Sequence, residues 1–428
     1  MSAPGSPTIE PSPTGRFREG MTRAFVSLRI PQFRILWFGM LFSIGAMQID
    51  LVARAWLAYD LTGSGLALGL VTASRGLPQI ILSPFGGVAA DRFDKRRLLV
   101  YSQSAVFVLA SVNAFLVVTG LIEVWHLAVL GLLQGFTTPF TMPTRTALVP
   151  DLVPEDQIPN ALALESTGRN INRIVSPALA GVLVAITPGL AFIAIAIVYG
   201  AAVATHYTLP RGLRGAGSKK GAFGDMADGF RYIFSRAPLF ALIGLAFIPI
   251  LLGMPFQSLL PVFQLDVLHI SESQLGLMYT AVGVGAIIGS VVVAYLSNSE
   301  HIGRLQMGSG IVFGLTLTLF AMSTTYALSM VLLVVVGFFS TGYLTFNRML
   351  VAMHSERAVF GRVMAIYGMT WSLMPIALLP FGALVDVFGV QTVVATAGVA
   401  VAIIVAAAAA AFSGQLLSSP ASASAPGD

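Results

Sequence analysis

The chain has 428 residues, of which 56% are hydrophobic and 10% charged. A soluble globular chain carries roughly 25% charged residues, so a water-soluble fold is excluded and a membrane-embedded one implied. The net charge of +5 is spread along the chain rather than gathered in one patch, which argues against a nucleic-acid partner, and the absence of cysteine removes disulfides and cysteine metal sites.

Residues 1–33 are rich in Pro, Ser and Gly, contain no apolar run long enough for a signal sequence, and read as a disordered tail. Twelve apolar spans follow, each near the roughly 20 residues needed to cross a bilayer. They cover 34–59, 65–90, 97–119, 124–149, 159–186 and 188–208, then 238–267, 274–297, 303–324, 327–353, 360–387 and 390–412. The pattern divides the chain into a six-helix bundle at 34–208, a basic linker at 209–237, a second bundle at 238–412 and a disordered tail at 413–428. Every loop Lys and Arg falls in the N-terminal tail or an even-numbered loop. Loops 60–64, 120–123, 187, 268–273, 325–326 and 388–389 have none. By the positive-inside rule both termini are cytoplasmic, in a multi-pass protein of the cell membrane.

A charged side chain at the bilayer centre costs roughly 3 kcal/mol, so each one is a functional hypothesis. Span 1 carries Asp50 and Arg54, four apart on one helix face, either a working site or a self-neutralised ion pair. Span 2 adds Arg75 and Gln79, with no acid on the same helix to meet Arg75. Asp50 and Glu165 are the only acids well inside the spans, which makes them the proton-coupling candidates.

Between spans 2 and 3 the charges crowd into Gly86-Gly87-Val88-Ala89-Ala90-Asp91-Arg92-Phe93-Asp94-Lys95-Arg96-Arg97. Gly86 and Gly87 remove side chains where one helix must approach another. Asp91 is an acceptor placed to meet a helix N-terminus or an arginine. The stretch resembles the signature loop of major facilitator superfamily transporters, Gly-x-x-x-Asp-Arg-x-Gly-Arg-Arg, with Gly87, Asp91, Arg92 and Arg96 on the pattern and Asp94 in place of its second glycine. The resemblance implies a gating role for those four residues, for Arg145 in span 4 and for its counterpart Arg348 in span 10. It also implies an all-α membrane protein of twelve transmembrane helices in two pseudo-symmetric six-helix bundles. The bundles read as copies: Pro139-Phe140-Thr141-Met142-Pro143-Thr144-Arg145 corresponds to Tyr343-Leu344-Thr345-Phe346-Asn347-Arg348.

Span 4 presents Gln134, Thr137, Thr138, Thr141 and Arg145 on one face, with Pro139 and Pro143 loosening its backbone. Span 5 places Glu165, Ser166, Arg169, Asn170, Asn172, Arg173 and Ser176 within an arc of about 160°, at 100° per residue. Such a face lines water or a polar helix seam, never lipid. The second half has no mid-membrane charge; its polar and aromatic candidates are Gln257, Tyr367, Thr370 and Trp371. The substrate-binding candidates are thus Arg54, Arg75, Gln79, Gln134, Arg169, Asn170, Asn172, Arg173, Gln257, Tyr367 and Trp371.

Trp56-Leu57-Ala58-Tyr59-Asp60-Leu61-Thr62-Gly63-Ser64 and Arg145-Thr146-Ala147-Leu148-Val149-Pro150-Asp151 resemble the drug–proton antiporter branch that includes macrolide-efflux and enterobactin-export proteins. Ser176-Pro177-Ala178-Leu179-Ala180-Gly181 is similar to the antiporter motif of drug exporters, with Ser176 and Ala180 in place of glycines. The resemblance implies a monomeric, proton-coupled exporter of an amphiphilic small molecule, working by alternating access without cofactor or resident metal. Import or exchange of an anionic metabolite is the alternative, and a non-transporting sensor or assembly factor on the same scaffold a third. No nucleotide-binding loop, metal-ligand spacing or nucleophile elbow supports an enzyme.

Overall fold

The computed structural model describes residues 25–212, 222–356 and 359–411, apart from the side chains of Pro84, Gly87, Val88, Asp91 and residues 222–227. Most of the two expected tails, and part of the linker, lie outside the described residues, as do the side-chain roles expected of Gly87 and Asp91. All regular structure among the described residues is helical.

The first half comprises α1 (Pro31–Thr62), α2 (Gly65–Arg92), α3 (Lys95–Val118), α4 (Val124–Gly135), α5 (Thr138–Leu152), α6 (Ile158–Ile186) and α7 (Pro188–Tyr207). A linker helix, α8 (Ala222–Phe234), precedes α9 (Ala237–Ile248), α10 (Glu272–Leu296), α11 (Ile302–Met322), α12 (Tyr326–Met353), α13 (Phe360–Met369), α14 (Met374–Phe388) and α15 (Val390–Ala411). Short polar loops start these helices by side-chain capping. Ser64 accepts from Ala67 N at the head of α2, Thr187 from Leu190 N at α7, and Ser271 and Gln274 form a capping box at α10.

Among the described residues ten helical segments are long and apolar enough to cross a membrane. The expected fourth and fifth spans are not among them, for physical reasons. The fourth breaks between α4 and α5 because Pro139 has no N–H for the carbonyl of Gly135. The fifth, α6, carries Glu165, Arg169 and Arg173 and is too polar to qualify. Prolines act likewise in the second half. Pro249, Pro255 and Pro261 turn the chain after α9 into π and 3-10 turns as far as Leu268, and a 3-10 turn over Thr370–Leu373 separates α13 from α14.

The glycine expectation holds at Gly86: a Cβ there would lie 2.0 Å from the Pro139 carbonyl oxygen, so α2 and α5 touch backbone to backbone. Gly86→Leu will lower thermal stability by about 1–3 kcal/mol, the usual effect of overpacking. An unchanged unfolding midpoint in detergent would show that this contact does not hold the bundle.

The halves meet where α2 runs along α14 and α6 along α10. Gly65 and Gly382 approach so closely that a Cβ on either would reach the other's carbonyl within 2.8 Å. Gly181 and Gly276 make the equivalent approach between α6 and α10. Polar bonds close the same end. Asp386 accepts from Ser64 Oγ at 2.8 Å, Gly65 N at 2.5 Å and Leu66 N at 3.0 Å, while Tyr59 OH donates to Asp266 at 2.5 Å. All these residues adjoin the loops that lack Lys and Arg.

Candidate functional site

A cavity of about 580 Å³ lies between the halves. On each helix that supplies both, the lining sits further from the arginine-free loops than the sealing contacts do. On α1 it uses Ser43 to Leu51 rather than Tyr59; on α6, Arg169 to Arg173 rather than Gly181; on α14, Met374 and Pro375 rather than Gly382. The cavity is therefore closed at one end by the interface just described.

Its wall is built around Asp50, 1% exposed. Arg54, one turn later on α1, donates Nη2 to Oδ1 at 2.9 Å and Nε to Oδ2 at 3.3 Å. Arg75 of α2 donates Nη1 to Oδ2 at 3.1 Å. Arg54 also reaches the Leu127 carbonyl at 3.0 Å and Gln134 Oε1 at 3.3 Å. The carboxylate thus ties α1 to α2 and Arg54 ties both to α4, and the two arginines leave the trio with a net positive charge. Removing one member of a buried ionic group costs about 3–5 kcal/mol, because it strands the others. Arg75 faces the cavity, whereas Asp50 and Arg54 stand behind its surface.

A second carboxylate is less well satisfied. Glu165, 3% exposed, has Oε2 at 3.5 Å from Arg169 Nη1, and its Oε1 is buried without a hydrogen-bond partner. Arg145 is buried and donates Nη2 to Ser43 Oγ at 3.0 Å, bridging α5 to α1.

The structure brings Arg75, Gln79, Gln134, Arg145, Arg169, Asn170 and Arg173 to the cavity surface. Other binding candidates lie elsewhere. Asn172 donates to the Leu41 carbonyl at 3.2 Å and accepts from Ser176 at 2.8 Å, a seam between α1 and α6. Tyr367 gives its hydroxyl to the Leu344 carbonyl at 3.2 Å. Gln257 Nε2 lies 3.6 Å from Met254 Sδ, and Trp371 is 43% exposed. Glu165 does not line the cavity either.

The loop charges are used within their own half. Asp94, standing where the resembled pattern has glycine, caps α3 through Arg97 N at 2.8 Å and accepts from Gly212 N at 3.0 Å. Lys95 pairs with Asp151 at 2.6 Å. Arg96 bonds the Tyr207 carbonyl and stacks over its ring at 5.0 Å. Arg92 and Arg348 are exposed. Lining residues that the sequence reading passed over include Gln103, Tyr199 and Ser258. Gln103, one of two carboxamides in an otherwise apolar span, carried a usable signal; Tyr199 carried none.

The chain is similar to transporters along most of its length. It is 24% identical to macrolide efflux protein A of Streptococcus pyogenes over 368 residues, covering 84% of this chain and 91% of the relative. It is 26% identical to the staphyloferrin A transporter of Staphylococcus aureus, covering 86% and 91%. It is 24% identical to the enterobactin exporter of Citrobacter koseri, covering 79% and 81%. Among solved structures, the nucleoside transporter NupG superposes with a TM-score of 0.69 at 16% identity, over 90% of this chain and 99% of its own. The human organic anion transporter MFSD10 gives 0.63 at 15%, over 87% and 98%. These two likenesses carry the fold, an all-helical membrane-transporter fold. With residues 22–425 matching the family described as transmembrane secretion effectors, the chain belongs to that family of major facilitator superfamily transporters.

Proposed function

We propose that this protein is a proton-coupled exporter of an amphiphilic small molecule, working by alternating access. The observation that carries the reading is Asp50, buried in the cavity wall and shared by two arginines on different helices. Protonation removes the charge that holds α1 and α2 together and frees Arg75, which biases the balance between cavity-open states. Glu165, with one oxygen bare, is the second proton-coupling candidate.

The basic loops lie at the end of the molecule opposite the sealed one. With both termini cytoplasmic, the cavity faces the cytoplasm and the protein is poised to load from inside the cell membrane. Macrolide efflux and enterobactin export by relatives support export of a bulky, oxygen-rich molecule. In the opposite state the halves close at the basic end. There Asp91 is expected to meet the start of α13, near residues 360–364, or Arg145. A separation beyond about 4 Å from both groups in a structure of that state is outside ion-pair reach and rejects this latch. Gly87, Arg92, Arg96 and Arg348 are assigned to the same gate. The protein is assigned as a monomer, and 209–237 as the linker between the bundles.

The test is flux of a macrolide and of enterobactin in proteoliposomes under an imposed pH gradient. Accumulation against the substrate gradient, abolished by a protonophore, is expected for at least one. Flux that is equal with and without the pH gradient rejects proton coupling. It favours instead an exchanger or importer of an anionic metabolite, a reading supported by the arginines of the cavity wall.

A further inference from the structure

We infer that Arg173 and Asn170 form a subsite for an anionic group, and that the transported molecule is an amphiphile bearing a carboxylate or a similar oxyanion. The inference rests on the cavity being the transport site. Among the described residues four arginines line it, Arg75, Arg145, Arg169 and Arg173, and no Asp or Glu does. Three are already engaged. Arg75 lies 3.1 Å from Asp50, Arg169 lies 3.5 Å from Glu165, and Arg145 donates to Ser43. Arg173 has no hydrogen bond or ion pair among the described residues. Asn170, three residues earlier and so on the same helix face, lines the same cavity and is equally without a partner there.

The mount is rigid. Gly283 of α10 packs against the backbone of Arg173, where a Cβ would lie 2.7 Å from its carbonyl oxygen. One residue on, the Ile174 carbonyl accepts from Thr280 Oγ1 at 2.9 Å. An arginine held half-buried with no counter-charge is costly until an anion arrives. Its planar fork matches a carboxylate bidentately, and the Asn170 carboxamide adds a donor one turn away. Met47, Leu51, Met142 and Met374 offer apolar surface to the rest of the ligand; flexible thioethers adapt to bodies of different shape. Arg173 makes no ion pair with Asp50, so the subsite does not depend on the protonation state of that carboxylate.

Calorimetric titration of the purified full chain with 2-naphthylacetate, its primary amide and rhodamine 6G tests this. Wild type should bind the carboxylate at least about 10-fold more tightly than the isosteric amide, and the cationic dye least. Arg173→Gln should reduce the carboxylate preference to about twofold or less, and Arg173→Lys should restore part of it, which separates lost charge from lost folding. Equal binding of acid and amide by wild type, or a preference that survives Arg173→Gln, overturns the assignment. A carboxylate preference without pH-driven flux rejects the coupling and leaves the subsite standing; pH-driven flux without the preference rejects the subsite alone.

Discussion

Asp50→Asn will abolish net flux driven by a pH gradient while leaving substrate exchange at no imposed gradient intact. The asparagine fills the same space and keeps an acceptor oxygen, but it cannot change charge. The two guanidiniums that now share Asp50, at 2.9 and 3.1 Å, would face each other without an anion. Stranding buried charge costs about 3–5 kcal/mol, so stability must be followed alongside flux. Combining Asp50→Asn with Arg54→Gln returns the cluster to its original net charge. That pair should recover thermal stability and still fail to couple. A drop of at least about 10-fold in driven flux is expected, equivalent to roughly 1.4 kcal/mol of coupling. Driven flux at the wild-type level in Asp50→Asn would remove Asp50 from the coupling. If Glu165→Gln is equally silent, proton coupling through carboxylates within the spans fails altogether.

Asp386→Ala will open the sealed end. Asp386 satisfies N–H groups of the first turn of α2, which have no partner within the helix, and sets a negative charge against the positive end of its dipole. The donors belong to the other half of the molecule, so these bonds exist only while that end is closed. Hydrogen bonds to an ionised group contribute about 1.5–3 kcal/mol, enough to shift a two-state balance roughly 10- to 100-fold. The chain has no cysteine, so a single Leu378→Cys reporter in the seam gives an unambiguous reading. Leu378 is 1% exposed, and its carbonyl abuts Gly69 of α2. Maleimide labelling at this position should rise at least about 10-fold in the Asp386→Ala background. Equal labelling in both backgrounds would show that the carboxylate does not hold the interface.

The features legible in the sequence are those set by local periodicity. The polar arc of the fifth span placed Arg169, Asn170 and Arg173 on one face, and all three reach the cavity. The arc was wider than the cavity, however, so Asn172 at its side packs against α1 instead. The i,i+4 pairing of Asp50 with Arg54 was equally legible, because both lie on one helix. The bond from Asp50 to Arg75 was not, since helix spacing says nothing about which helices face each other. It decides which cation is open to substrate: Arg75, which lacked an acid on its own helix, has one from α1, and Arg173 is the cavity arginine left without a partner among the described residues. Trp371 and Gln257 show a different limit. A period of 3.6 residues carried through 3-10 and π turns at 249–268 and 370–373 no longer says which face a side chain takes. The carboxylates at 266 and 386 were visible at span ends, but their role as acceptors from the opposite half depends on packing between helices, α1 against the turn at 263–268 and α2 against α14.

Coupling itself is tested most directly by proton movement in the absence of any imposed pH gradient. Proteoliposomes carrying a luminal pH dye are loaded with whichever of the macrolide and enterobactin is transported, then diluted into substrate-free buffer of the same pH. Proton-coupled export by alternating access predicts that the lumen acidifies as substrate leaves, with Asp50→Asn silent. Substrate efflux with no change in luminal pH would contradict it.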